Sequence, residues 1–389
     1  MKLFTQGFLK RKVNTLSHIG LLLICTLMIF GTSWAQLPNK PFEDRVVWED
    51  KDSVKISFNF RTLGFTKNNE YFNRIADGYT LFGTQFNPYF SYQPIPSFRF
   101  DAGFYMRQDY GTKGLQVFEP TFTFRVKHEG YNLLIGNLDG AMNHRLIDPM
   151  LDFERVLTNR LEQGVQLFKV TDGLFLDLWV DWETMIYRGD AKQEEVYGGF
   201  SIAKKWEIGS GLLLSIPLQG VIYHKGGAID NHPGPLQTMI NLAGGLRIEE
   251  GDRQGITWGG SAYYAWFNDF SISRLLDYKD GRGWYFNVEA NLNKGLKLMV
   301  SYWAGNEFIS LLGGPVYESV SSSYKKPYFS VPERSLVFIR FFHDITLGDG
   351  IVLSSRFEPF YDFQRKRVEF SHGLYLNFRG RLPVKGGER

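Results

Sequence analysis

Cysteine is nearly missing: the one example, Cys25, lies in an apolar run close to the N-terminus. The rest of the chain therefore excludes disulfides, thiolate chemistry and cysteine metal sites. Long hydrophobic runs are also missing. No stretch after residue 36 approaches the roughly 20 apolar residues of a membrane-spanning helix. A charge excess of one sign is the third absence. The 44 basic residues fall to 40 once Lys2, Lys10, Arg11 and Lys12 are set aside with the N-terminal stretch, against 41 acidic ones. So balanced a chain lacks the basic footprint of a nucleic-acid-binding protein.

Those four basic residues precede an apolar run, Ile19 to Phe30, and then Ser33-Trp34-Ala35, a small-x-small pattern. Residues 1–35 thus read as a secretory leader cleaved after Ala35. Cys25, with more of the apolar run still to come, is badly placed to be a lipoprotein's first residue.

What is abundant is aromatic residues, at 16%, and alternation of apolar with polar residues at a period of two. Val54, Ile56, Phe58 and Phe60 alternate with Lys55, Ser57, Asn59 and Arg61. Phe98, Phe100, Ala102 and Phe104 do so with Arg99, Asp101, Gly103 and Tyr105. That period is a strand's. About 16 such segments fit between residues 53 and 379, most near the ~9 to 11 residues of a tilted membrane strand.

Their connections mostly alternate between long ones, such as 65–78, 138–161 and 305–333, and tight turns such as His128-Glu129-Gly130, Thr171-Asp172-Gly173 and Leu347-Gly348-Asp349-Gly350. Glycine, asparagine and aspartate supply the dihedrals of such turns. The expected fold is an all-β, closed antiparallel transmembrane barrel of about 16 strands (14 to 18), with short periplasmic turns and long extracellular loops. Residues 36–52 are expected as a polar periplasmic segment and 380–389 as a C-terminal tail. In leader, strand pattern and turn asymmetry the mature chain resembles the porin-like outer-membrane barrels of Gram-negative bacteria as a class. It departs from them where Phe378 is followed by Arg379 to Arg389 and not by the chain end.

With apolar faces toward lipid, the other faces line the lumen. The expected lining includes Arg61, Arg99, Asp101, Arg107, Glu119, Arg125, Asp177, Asp181, Glu183, Arg340, Arg356 and Glu358. So many charges fit a water-filled interior better than a dry one. The arginines gather near the closing seam and the acids of the seventh strand lie half-way round, which predicts a transverse field in a wet channel; pairing of the same charges across a plugged lumen is the alternative. The 138–161 connection mixes Asn143, His144, Arg145, Asp148, Asp152, Glu154 and Arg155 with Leu146, Ile147, Met150, Leu151 and Phe153. It is expected to fold into the barrel as a constriction, with an external cap as the alternative.

Other constellations carry less. His224, Asp230 and His232 fit no standard metal-ligand spacing and lie among Gly226-Gly227 and Pro233-Gly234-Pro235. Loop aromatics Tyr317, Tyr324, Tyr328 and Phe329, with lumen-side Tyr105, Trp179, Tyr285 and Tyr375, suggest sugar stacking or plain rim packing. Ser355 falls on the lipid face between His343 and His372, and hairpin register brings Ser355 opposite His343, as a membrane-embedded lipase needs. No orienting carboxylate or amide is evident on that face. The sequence thus predicts an outer-membrane channel passing small hydrophilic solutes, without catalysis, metal or cofactor. Its partners are outer-membrane lipid and the barrel-assembly machinery, nucleic acid is excluded, and self-association is compatible with it. The alternatives are a secretion or polysaccharide-export barrel and, last, an outer-membrane lipase.

Overall fold

The structure, a computed structural model, describes residues 39–50, 53–209, 211–250 and 257–385; the leader assigned to 1–35 lies outside them. Sixteen strands follow one another around a closed antiparallel barrel. They are β1 (Lys55–Glu70), β2 (Thr80–Ile95), β3 (Phe98–Asp109), β4 (Val117–His128), β5 (Tyr131–Asn137), β6 (Gln163–Val170), β7 (Leu174–Thr184) and β8 (Glu195–Ile208). Then come β9 (Leu212–Lys225), β10 (Gln237–Glu250), β11 (Thr257–Asp269), β12 (Asp280–Asn291), β13 (Leu296–Asn306), β14 (Glu333–Gly348), β15 (Ile351–Asp362) and β16 (Arg367–Lys385). The seam is closed by β1 pairing with β16, from Ile56↔Lys385 to Glu70↔Phe370. Closure is obligatory where hydrocarbon offers no water to an unpaired strand edge.

The tight turns obey their residues. Gly350 has φ +71°, and a Cβ there would sit 2.1 Å from the Arg379 carbonyl oxygen, so only glycine makes that connection without strain. Among the described residues no helix is long and apolar enough to cross a membrane; the crossing is made by strands.

Their outer faces are large and apolar. Phe90, Phe104, Phe118, Phe122, Trp284, Phe286, Ile339, Phe341, Phe357 and Leu374 are all exposed on the barrel surface. Taking one such side chain out of water is worth about 1.5–3 kcal/mol, so a belt of them holds this surface in lipid.

Much of the lumen is filled by chain. Of the segment expected in the periplasm, Asn39 to Val46 reach into the barrel, while Val47, Glu49 and Asp50 are exposed and Trp48 bonds the Pro96 turn. Phe42 packs edge-on against Phe153 at 4.8 Å and Tyr375 at 5.3 Å, and Arg379 donates to the Pro41 and Glu43 carbonyls. The polarity that suggested water is satisfied by lumen arginines. The 138–162 connection also turns inward: Met142, Met150, Leu151 and Leu157 join Leu63, Phe65, Trp179 and Tyr263 in one apolar cluster with Phe42. The 307–332 connection adds Phe308, Ile309, Leu312 and Tyr317 to it. Two strands outrun their expected ends. β1 continues to Glu70, and β16 continues to Lys385 through residues expected as a tail, because Leu382 and Pro383 still find partners on β1.

Candidate functional site

Inside the barrel the charges neutralise one another. Asp101 accepts from Arg99 Nε at 2.7 Å and Arg125 Nε at 2.9 Å, and Arg125 makes a bidentate pair with Asp139. Arg61 and Arg160 converge on Asp44 at 2.9 and 2.7 Å. Burial alone would raise the Asp44 carboxyl; Arg61, Arg160 and Arg379 outweigh it and hold it well below its usual range. Asn143 clamps the same segment, its Oδ1 accepting from the Asp44 and Arg45 backbone N–H groups. Several of the charges from which a transverse field was expected are compensated by the inward segments: Arg61 meets Asp44, Arg340 meets Asp148 and Asp177 meets Arg45.

His144 is the tightest knot. Its Nε2 lies 2.7 Å from Glu162 and its Nδ1 3.2 Å from Asp177, which also pairs with Arg45. Its ring stacks on Trp179 with centroids 3.7 Å apart. Gly199 gives Trp179 its room, since a Cβ there would lie 2.2 Å from the indole. Burial disfavours charging the ring, yet Glu162 and Asp177 prevail and lift His144 to about 9.

The remaining sequence-predicted residues divide. Asp181 accepts from the Gln163 backbone. Arg340 holds Glu358 and Asp148 at 2.9 Å each, Arg356 donates to Asn39, Arg145 pairs with Glu43, and Glu154 accepts from Lys67, Asn69 and Tyr79. The Asp152 carboxylate accepts the Glu154 backbone N–H, and Arg155 heads a single turn of α-helix, Arg155–Thr158. Glu119 and Glu183 stand exposed at the rim, with Glu183 accepting from Asn159; Arg107, beside them, pairs with Asp109. No cluster of three or more His, Cys, Asp or Glu arranged for a metal occurs among the described residues. Asp230 instead caps its own loop through the Gly227 and His232 N–H groups.

A second polar set lies on the outside. His343 and Ser355 are register partners on the outer face, yet they sit close to the Gly348–Ile351 turn and so in the periplasmic half. Across the seam, near the extracellular end of β1, His372 is the register partner of Asn68, and Asn68 is the partner of Thr80 on β2. Thr80 Oγ1 donates to Asn68 Oδ1 at 2.7 Å, and Asn68 Nδ2 donates to Glu70 Oε1 at 2.6 Å. Side chains directly opposite on one face have Cβ atoms about 4.5–5.5 Å apart. The aromatic rings of Phe370 and Phe357 border His372. The amide and carboxylate that the sequence did not reveal beside His372 are thus Asn68 and Glu70. The signal was the alternation itself, which runs on past Leu63 with polar residues taking the outward positions.

The sequence profile of a family described as lipid A 3′-O-deacylase-type matches residues 48–386. No curated protein matches the chain. Among solved structures, the improved crystal structure of Pseudomonas aeruginosa OprD is 13% identical, with a TM-score of 0.50 over 88% of this chain and 100% of that one. OmpT of Vibrio cholerae lacking loop L8, an outer membrane protein, is 8% identical at a TM-score of 0.50, over 84% of this chain and 100% of that one. At such identities the likeness speaks for the fold, a 16-stranded outer-membrane barrel.

Proposed function

The chain belongs to the lipid A 3′-O-deacylase-type family, and from that membership we propose that it hydrolyses the ester linking an acyl chain to the 3′ position of lipid A, in the outer leaflet of the outer membrane. Membership in an enzyme family overturns the expectation of a barrel without catalysis. The observation that carries the reading is the outward-facing row of His372, Asn68, Thr80 and Glu70 at the extracellular side of the seam. Polar side chains on a lipid-facing wall are costly unless they do something, and here an imidazole, a carboxylate, an amide and a hydroxyl share one face.

The chemistry follows from their order. Thr80 and Glu70 fix the Asn68 amide from both sides. His372 takes a proton from a water as that water attacks the ester carbonyl, the step general bases of this type accelerate about 10²–10⁴-fold. Glu70, one register step along the strand, stabilises the imidazolium. Collapse of the tetrahedral intermediate breaks the bond to the sugar oxygen, which receives the proton back from His372; a free fatty acid and a sugar hydroxyl leave. The ester lies beside the headgroup, at the height of this row and not of Ser355.

Passage of small solutes, the other expectation, requires the lumen filling to move aside, and nothing in the geometry favours it over the outer row. Purified barrel mixed with lipid A in detergent tests the proposal by mass spectrometry. A mass loss of one ester-linked acyl group from the 3′ position is expected; intact lipid A after incubation with protein that migrates as a folded, heat-modifiable barrel would sink it.

A further inference from the structure

In the extracellular half of the lumen a cavity of about 540 Å³ lies between the inward connections and the inner faces of β1 and β14 to β16. Three of its four cations are engaged. Lys67 is met by Glu154, and Arg340 by Asp148 and Glu358. Arg356 donates to Asn39 and lies over the Phe153 ring. Arg155, with no ion-pair partner among the described residues, spreads its charge over Asp152 as well as Asp181 and Tyr197 of β7 and β8.

Its carboxylates are not all taken. Asp152 and Glu318 line the same cavity, and among the described residues neither has a cation within ion-pair distance. Each accepts one backbone N–H, Asp152 from Glu154 and Glu318 from Ser310, both at 3.1 Å. A third acceptor is stranded beside them. Asn69, 3% exposed, donates its amide N–H to Glu154 but leaves its amide oxygen without a partner.

A buried acceptor without a donor costs its full desolvation; the Asn69 oxygen is one, and with two carboxylates that lack a cation around the same cavity it describes a ligand by its complement: N–H donors and positive charge. The Tyr71 ring lines the cavity as well and suits a cation, as the Phe338 ring, which already carries Arg340, shows. The size falls within the range of small-molecule sites. A phosphate or carboxylate solute would meet the wrong sign, which separates this place from the outer row and its phosphate-bearing lipid.

We propose that this cavity binds a small organic cation, an amine or guanidinium solute reaching it from the extracellular loops, with Asp152, Glu318 and the Asn69 amide oxygen as its acceptors. The assignment does not rest on the deacylase reading. Burial, helped by Glu154, lifts Asp152 to about 7, and burial, helped by Asp152, lifts Glu318 to about 8. A bound cation draws both into the ionised form, so binding releases protons and tightens as pH rises from 6 to 9.

Titration calorimetry with agmatine on the full, detergent-solubilised barrel at pH 8 tests it. Saturable binding is expected, at least tenfold weaker at pH 6 and in the isosteric pair Asp152→Asn with Glu318→Gln, and unchanged in His372→Ala. Asn69→Asp, which adds an acceptor charge, is expected to bind more tightly and guards against a double variant that merely misfolds. Absence of saturable heat, equal affinity in the double variant, equal binding of succinate, or displacement of agmatine by magnesium chloride at equal concentration would each overturn the proposal.

Discussion

The outer wall at the seam and the lumen filling are built from the same kinds of residue and use them to opposite ends. Inside, His144 is wedged between Glu162 and Asp177, stacked on Trp179 and sealed from solvent. Outside, His372 is exposed, with the fixed Asn68 amide opposite it across the seam. A histidine whose two nitrogens are both engaged by carboxylates has no proton to trade; one with an open side can act on a substrate. The difference lies in where each ring sits, His144 on the connection folded into the lumen and His372 on the outer face of β16, not in residue type.

The strongest way to break this comparison is to exchange the consequences. His372→Ala is expected to lower deacylation of lipid A by about 10²–10⁴-fold, the usual weight of a general base, while thermal unfolding of the barrel stays where it was. Mass-resolved product yield against time reads the first, and the temperature at which heat-modifiable migration is lost reads the second. An undiminished rate would move the chemistry away from the seam.

The lumen answers to a different removal. Deleting residues 39–50 takes away Phe42, Asp44 and Arg45 together, removing Asp44 from Arg61 and Arg160 and Arg45 from Asp177. Single-channel conductance in planar bilayers is expected to rise severalfold, because what closes the barrel is this segment as much as the inward connection it packs against. Conductance equal to that of the intact chain would show that the 138–162 connection seals the lumen by itself.

A pH series sharpens the same contrast. The His144 pKa, about 9 when folded, exceeds its ordinary value of 6.5. Its contribution is therefore fully present below about 6.5 and is lost as pH rises through 9. The shift corresponds to at most roughly 3 kcal/mol. Hydrogen exchange of the 138–162 connection, corrected for intrinsic rates, is expected to lose protection between pH 7 and 9.5, and His144→Gln to flatten that profile. A flat profile in the unaltered chain would mean that the ring is neutral.

How much of this was legible in the sequence follows from the same two faces. Wherever the outward positions were greasy, as in Phe98 to Phe104 or Trp284 to Leu292, alternation located strands. β5, with seven residues, is too short to show much alternation, and a tight turn marks only its start. Where outward positions became polar, at Thr66, Asn68 and Glu70, the chain resembled a loop, and the end of β1 was lost together with the candidate site. A membrane strand that carries chemistry on its lipid side must break the pattern by which it is recognised. The lumen filling was hidden for another reason. Phe42 meets Phe153 and Tyr375, and Asp44 meets Arg160, across more than a hundred residues of chain, and no local period records such a meeting.

The smallest expected effect is the one that isolates position from composition. Ser355 and His343 face each other on the outer surface, a hydroxyl beside an imidazole, and by residue type alone they form a better nucleophile and base than the seam does. They lie near the Gly348–Ile351 turn, however, and the hydrocarbon band of such barrels is about 25 Å tall. An ester anchored beside a sugar headgroup in the outer leaflet would have to sink through much of that band to reach them, dragging a charged headgroup into hydrocarbon. Ser355→Ala is therefore expected to leave deacylation within about twofold of the unaltered chain, inside the range of a neutral surface change. A loss as large as that from His372→Ala would place the substrate at the periplasmic end and reverse the assignment of the two outer-face histidines.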